Sequence, residues 1–119
     1  MLEKLGLGTV QFGQAYGVSN RSGQVSREEA AAILDRAAKA GVRLLDTAVN
    51  YGEAETILVA LDTSPFRVVT KTINLAHGVD RVIARARQSA QSAASPHTRP
   101  LNSAIFFQIS ACISSPSKF

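Results

Sequence analysis

Three short apolar runs, LGLGTV (5–10), VRLLDTA (42–48) and FRVVTKT (66–72), alternate with stretches of helical periodicity, and this alternation constrains the fold more than any other feature. Strands that read as nearly continuous hydrophobic runs belong to a sheet covered on its faces, and parallel strands need crossovers of a dozen residues or more. The intervening stretches supply them. Ser26 is an N-cap with Glu29 three residues on, a capping box, and Ala30, Ile33, Leu34 and Ala37 fall on one face. Lys39 suits the last turn and Gly41 the C-terminal stop. A second helix is predicted from Gly52 or Glu53, with Ala54, Ile57, Leu58 and Leu61 as its apolar stripe. A third runs from about Val79 to Gln91, with Val79, Val82, Ile83 and Ala86 on one face. The order strand–helix, three times over, predicts an α/β fold with a parallel sheet. Both a (β/α)8 barrel and an open doubly wound sheet begin this way.

Between these elements, residues 11–24 and INLAHG (73–78) read as loops. After about residue 88 the pattern changes: the rest of the chain holds eight serines, three prolines and no acidic residue. The predicted organisation is therefore a βα portion over 1–91 and an irregular Ser/Pro-containing tail over 92–119, with a strand at 104–110 and a frayed end. So abrupt a change fits a shifted reading frame or a substituted exon.

Charge, cysteine and hydropathy exclude several classes. The net charge is +4, but residues 1–80 carry eight basic and nine acidic side chains, so the excess sits in Arg81, Arg85, Arg87, Arg99 and Lys118. No nucleic-acid module or aromatic interleaving accompanies it, and no nucleic-acid partner is expected. No apolar run approaches the roughly 20 residues that span a bilayer. With no secretory pattern in MLEKLGLG, a cytoplasmic location and no membrane partner are expected. The single Cys112 forms no intrachain disulfide, and no metal site is expected.

In parallel βα architectures chemistry gathers at the carboxyl ends of the strands. Thr9 follows Gly8 there on the first strand, Asp46 ends the second and Lys71 the third, with Tyr51 one loop beyond Asp46. Taken singly these are a cap, a packing ring and a solvated lysine. Together they have a use. A lysine beside a tyrosine favours the phenolate and lowers a phenol's pKa from about 10. The tyrosine can then give a proton to a carbonyl oxygen, and the lysine can steady the charge developing there. An aldolase or isomerase barrel also places Asp and Lys at strand ends. A Schiff-base lysine, however, wants a desolvated site without a paired carboxylate.

LGLGTVQFG (5–13), GVRLLDTAVNYGEAETIL (41–58) and RVVTKT (67–72) together make the chain resemble the aldo-keto reductases, NADP-dependent (β/α)8 barrels, over about residues 3–90. The resemblance implies reversible hydride transfer between NADP(H) and a small-molecule aldehyde or ketone. The catalytic residues it implies are Asp46, Tyr51 and Lys71, with Tyr51 as proton donor. Gly8, Thr9 and Val10 match the segment beside the nicotinamide, and Asp46 also approaches the cofactor ribose. The family's histidine follows its fourth strand, where AIFFQI holds Gln108; His77 and His97 lie in loops. The expectation is thus a partial barrel, three βα units with a fourth strand, truncated and inactive alone. The alternative is a non-catalytic half-barrel that self-associates, or binds a partner, through an exposed strand edge.

Overall fold

The computed structural model describes residues 2–93 and 106–108. Four parallel strands form one sheet in the order β1-β2-β3-β4: β1 (Gly6–Gly8), β2 (Leu44–Asp46), β3 (Arg67–Lys71) and β4 (Phe106–Gln108). Each strand pairs with the one before it in sequence. A doubly wound sheet reverses direction at a switch point, and these four strands do not. The sheet therefore has the run of the first half of a (β/α)8 barrel. Gln108 pairs with Lys71 on the ladder, so the expected fourth strand is present.

Helix α2 (Arg27–Lys39) is delimited at both ends by its own residues. The Ser26 hydroxyl accepts from the Glu29 amide at 3.1 Å, satisfying one of the amides that the first turn leaves unpaired. At the other end Gly41 adopts φ +91°, a left-handed conformation that costs glycine nothing. The Val42 amide then reaches the Ala37 carbonyl at 3.0 Å and the Gly41 amide the Ala38 carbonyl at 3.1 Å, a Schellman closure.

The register divides the sheet into two faces. Leu7, Leu45 and Val68 stand side by side on one of them and pack into a core with Phe12, Ala30, Leu34, Ala54, Leu58 and Phe66. Leu45 is fully buried. That face lies under α2 and α3 (Ala54–Val59). Alternation puts Gly8, Asp46, Val69 and Lys71 on the other face.

Several expectations need correction. Val10, expected to end the first strand, and Gln11–Gly13, expected as loop, form a one-turn helix, α1 (Val10–Gly13), which brings Phe12 into the core. Leu75–His77, also expected as loop, form a 3₁₀ turn capped by Asn74, whose side chain accepts from the Ala76 amide. Helix α4 (Val79–Ala93) buries only part of the face that apolar periodicity suggests: Val82 is buried and Ala86 half-buried, but Val79 and Ile83 are exposed. Its inward stripe runs through Val82, Arg85, Ala86 and Ser89, because Arg85 and Ser89 find a carboxylate waiting on α3. The irregular tail, His97, Cys112 and the frayed end fall outside the described residues.

Candidate active site

Asp46 and Lys71 end neighbouring strands on one face. Asp46 is in register with Val69, so Lys71 projects from the same face two residues nearer the carboxyl rim. The Lys71 ammonium hydrogen-bonds Asp46 Oδ1 and the Thr47 carbonyl, the latter at 3.1 Å, and lies 5.1 Å from the centroid of the Tyr51 ring. The three chemically suggestive residues of the sequence are thus one cluster. The Lys71 side chain is 22% exposed and that of Asp46 48%, so the pair faces an accessible rim. Burial pulls the Lys71 ammonium towards deprotonation. The hydrogen bond and charge of Asp46, with help from the Tyr51 hydroxyl, outweigh it and hold the group above the ordinary lysine value. At neutral pH Lys71 is a cation.

Backbone hydrogen bonds extend the ladder beyond the strands and fix the rim. The Thr47 amide donates to the Val69 carbonyl at 2.8 Å and the Val49 amide to the Lys71 carbonyl at 2.9 Å. Tyr51 sits in the turn that follows, closed by its amide on the Ala48 carbonyl at 3.1 Å. This turn rests directly on α1. A Cβ at Gly13 would collide with the Tyr51 carbonyl oxygen, and one at Gly52, which has φ +57°, with the Gly13 carbonyl. Two glycines let the backbones touch, and the Glu53 amide completes the contact on the Gly13 oxygen at 3.2 Å. The position of Tyr51 is therefore set by α1 as well as by β2.

Thr9 is fully buried, and both its amide and its hydroxyl donate to the Asp46 carbonyl, each at 3.0 Å. It braces Asp46 and offers no surface itself. Gly8 lies beside Asp46 on the ladder with no atom within 4 Å of where a Cβ would stand. Val10, the first residue of α1, is half-buried. The space at Gly8 opens beside the half-exposed Asp46 carboxylate, so the rim is unobstructed on this face of the sheet. His77 is exposed in the 3₁₀ turn after β3. Gln108 occupies the ladder position beside Lys71.

Glu55, which no sequence motif singles out, lies at the centre of a second polar cluster. Its carboxylate accepts from Thr70 Oγ1 at 2.7 Å, Arg85 Nη2 at 2.9 Å and Ser89 Oγ at 3.1 Å. The available signal was Arg85 and Ser89 four residues apart, following a buried Val82.

Among the described residues, no group of three His, Cys, Asp or Glu side chains could hold a metal ion, and no helix is long and apolar enough to cross a membrane.

No curated protein matches the chain. Among solved structures, it is similar to a Pseudomonas aeruginosa protein assigned as an aldo-keto reductase, at 25% identity and a TM-score of 0.64, over 87% of this chain and 41% of that one. A second structure assigned to the same family and organism shares the fold, at 23% identity and a TM-score of 0.61, over 87% and 39%. The chain thus spans about two fifths of the length of these structures. The model of the Aldo/keto reductase family matches residues 4–98, which takes in β1 to β3 and every member of the Asp46–Tyr51–Lys71 cluster. A parallel sheet built in strand order, a carboxylate–phenol–ammonium cluster on its rim and a family match over most of its length lead to one statement: the chain belongs to the aldo/keto reductase family.

Proposed function

We propose that residues 1–108 carry the proton-donating half of an NADP-dependent carbonyl reductase site. The observation that supports this most is the Lys71 ammonium, held between the Asp46 carboxylate and the Tyr51 ring at the carboxyl ends of adjacent parallel strands. In this reading NADPH, when bound, supplies hydride to the carbonyl carbon. The Tyr51 hydroxyl gives its proton to the carbonyl oxygen, and Lys71 stabilises the negative charge on the oxygens involved. Asp46 holds Lys71 charged and aimed, and its own exposed side reaches a cofactor ribose. Gly8 leaves the flat space the ring needs, and Thr9 keeps Asp46 from sliding along the rim.

The solved relatives are more than twice as long, and in a complete barrel the remaining strands wall the site. The 119 residues alone are therefore expected to be a weak catalyst or none. Supplying the other strands, by fusion to the second half of a homologous barrel, should restore turnover. The test is NADPH oxidation with an electron-poor aromatic aldehyde, in the chain and in the fusion, with Tyr51→Phe alongside. Loss of at least about a hundredfold in Tyr51→Phe is expected from removal of a general acid. A folded fusion that turns over equally well with Phe at this position would refute the assignment.

A further inference from the structure

Glu55 belongs to no part of the proposed chemistry, yet it is heavily engaged. One carboxylate oxygen accepts from Thr70 Oγ1 at 2.7 Å, and the other from Arg85 Nη2 at 2.9 Å and Ser89 Oγ at 3.1 Å. Arg85 Nη1 donates to Ser89 Oγ at 2.7 Å and closes the ring. The Glu55 side chain is 18% exposed, and Thr70 and Ser89 are buried. A partly buried ion pair is a poor source of stability compared with apolar packing, but this one, tied to two buried hydroxyls, imposes one geometry. That raises the question of what needs fixing here.

Chain positions answer it. Thr70 immediately precedes Lys71 and points to the opposite face of β3. Glu55 is the second residue of α3, four residues after Tyr51, and the α3 N-terminus is stitched to the Tyr51 carbonyl by the Ala54 amide at 3.0 Å. Arg85 and Ser89 bring α4 to the same carboxylate. Apolar packing between β3 and α3 tolerates small slips along the strand. Three hydrogen bonds of 2.7–3.1 Å converging on one carboxylate do not.

We propose that Glu55 is a positioning residue: by clamping Thr70 of β3 to α3 and α4, it sets the height of Lys71 against the turn that carries Tyr51. The proposal rests on reading Asp46, Tyr51 and Lys71 as the site, but its test needs no turnover.

The test is the titration of the Lys71 side chain in the full chain, followed by NMR of the ammonium and its adjacent methylene, in parent, Asp46→Asn, Glu55→Gln and Thr70→Val. Asp46→Asn gives the reference, a fall in the Lys71 titration point. Glu55→Gln keeps the size of the side chain but removes its charge and one of its two acceptor oxygens, so the two ends of the group can no longer both accept from Thr70, Arg85 and Ser89. It should move Lys71 in the same direction as Asp46→Asn while the far-UV spectrum stays that of a folded protein. Thr70→Val cuts only the link to β3, leaves the Glu55–Arg85–Ser89 ring intact and should give a smaller fall. It also serves as the test if Glu55→Gln does not fold. A role in stability alone would lower the melting temperature and leave Lys71 titrating as in the parent. That result in the folded variants overturns the proposal, as does a Lys71 titration unmoved by Asp46→Asn. Neither outcome depends on NADPH oxidation, so failure of the reductase assay and failure of the positioning role are separately visible.

Discussion

Gly13→Ala pits two effects of known size against each other. Alanine is favoured over glycine in a helix by about 1 kcal/mol, and Gly13 is the last residue of α1. Propensity alone therefore predicts a gain. Against it stands the contact with the Tyr51 turn. The new methyl would lie 2.9 Å from Ala54 Cβ and deeper still into the Tyr51 carbonyl oxygen and the Ala54 amide. Two of these neighbours are backbone atoms, so no side chain can rotate away. Relief requires the turn to move, at the upper end of the about 1–3 kcal/mol typical of overpacking. That movement also strains the Glu53 amide bond to the Gly13 oxygen, a loss of about 1 kcal/mol. Contact outweighs propensity, and the net destabilisation should be about 2–3 kcal/mol. With a urea slope of roughly 1.5 kcal/mol per molar, the unfolding midpoint followed by far-UV circular dichroism should fall by about 1.3–2 M. Gly8→Ala is the control. Its methyl meets nothing within 4 Å, and its stability should stay within about 0.5 kcal/mol of the parent. A Gly13→Ala midpoint at or above the parent value would refute the close approach of α1 to the Tyr51 turn.

Two further measurements test the rim. Because the Lys71 value is raised in the folded state, its contribution to stability is complete below the unfolded lysine value of about 10.4 and disappears as pH rises through the higher folded one. Lys71→Met should flatten the alkaline limb of the stability profile, and alkaline limbs of equal slope in parent and variant would mean that the Asp46 pair is not formed in solution. Thr47 Oγ1 is buried and has no hydrogen-bond partner among the described residues, so Thr47→Val should leave stability unchanged or raise it by up to about 1 kcal/mol. A clear drop in melting temperature would show that the hydroxyl has a partner.

What the sequence made legible was governed by local rules. Ser26, Glu29 and Gly41 mark the ends of α2 because capping depends on residues three to five apart. Asp46, Tyr51 and Lys71 could be grouped because parallel strands of successive βα units bring their carboxyl ends to one rim. What stayed hidden depended on contacts between distant segments. Nothing near Gly13 says that its missing side chain makes room for residues 51–54. Apolar periodicity placed Val79 and Ile83 inward on α4, but Glu55, some thirty residues upstream, offered Arg85 and Ser89 a partner, and the helix lies with that stripe inward. The choice between barrel and doubly wound sheet was also beyond local reading, since it rests on strand order alone.

Strand order has one more consequence, in chain entropy. Leu45 and Val68, partners on the β2–β3 ladder, are 23 residues apart, whereas Leu7 and Leu45 on β1–β2 are 38 apart. Closing the shorter loop costs about 0.4 kcal/mol less from the logarithm of the lengths alone. Asp46, Tyr51 and Lys71 all lie within that loop or at its edges, so the chemistry-bearing cluster belongs to the smallest ring the sheet contains. The cluster thus spans the ring of least closure cost, and Thr9 and Gly13 tie it to the longer one.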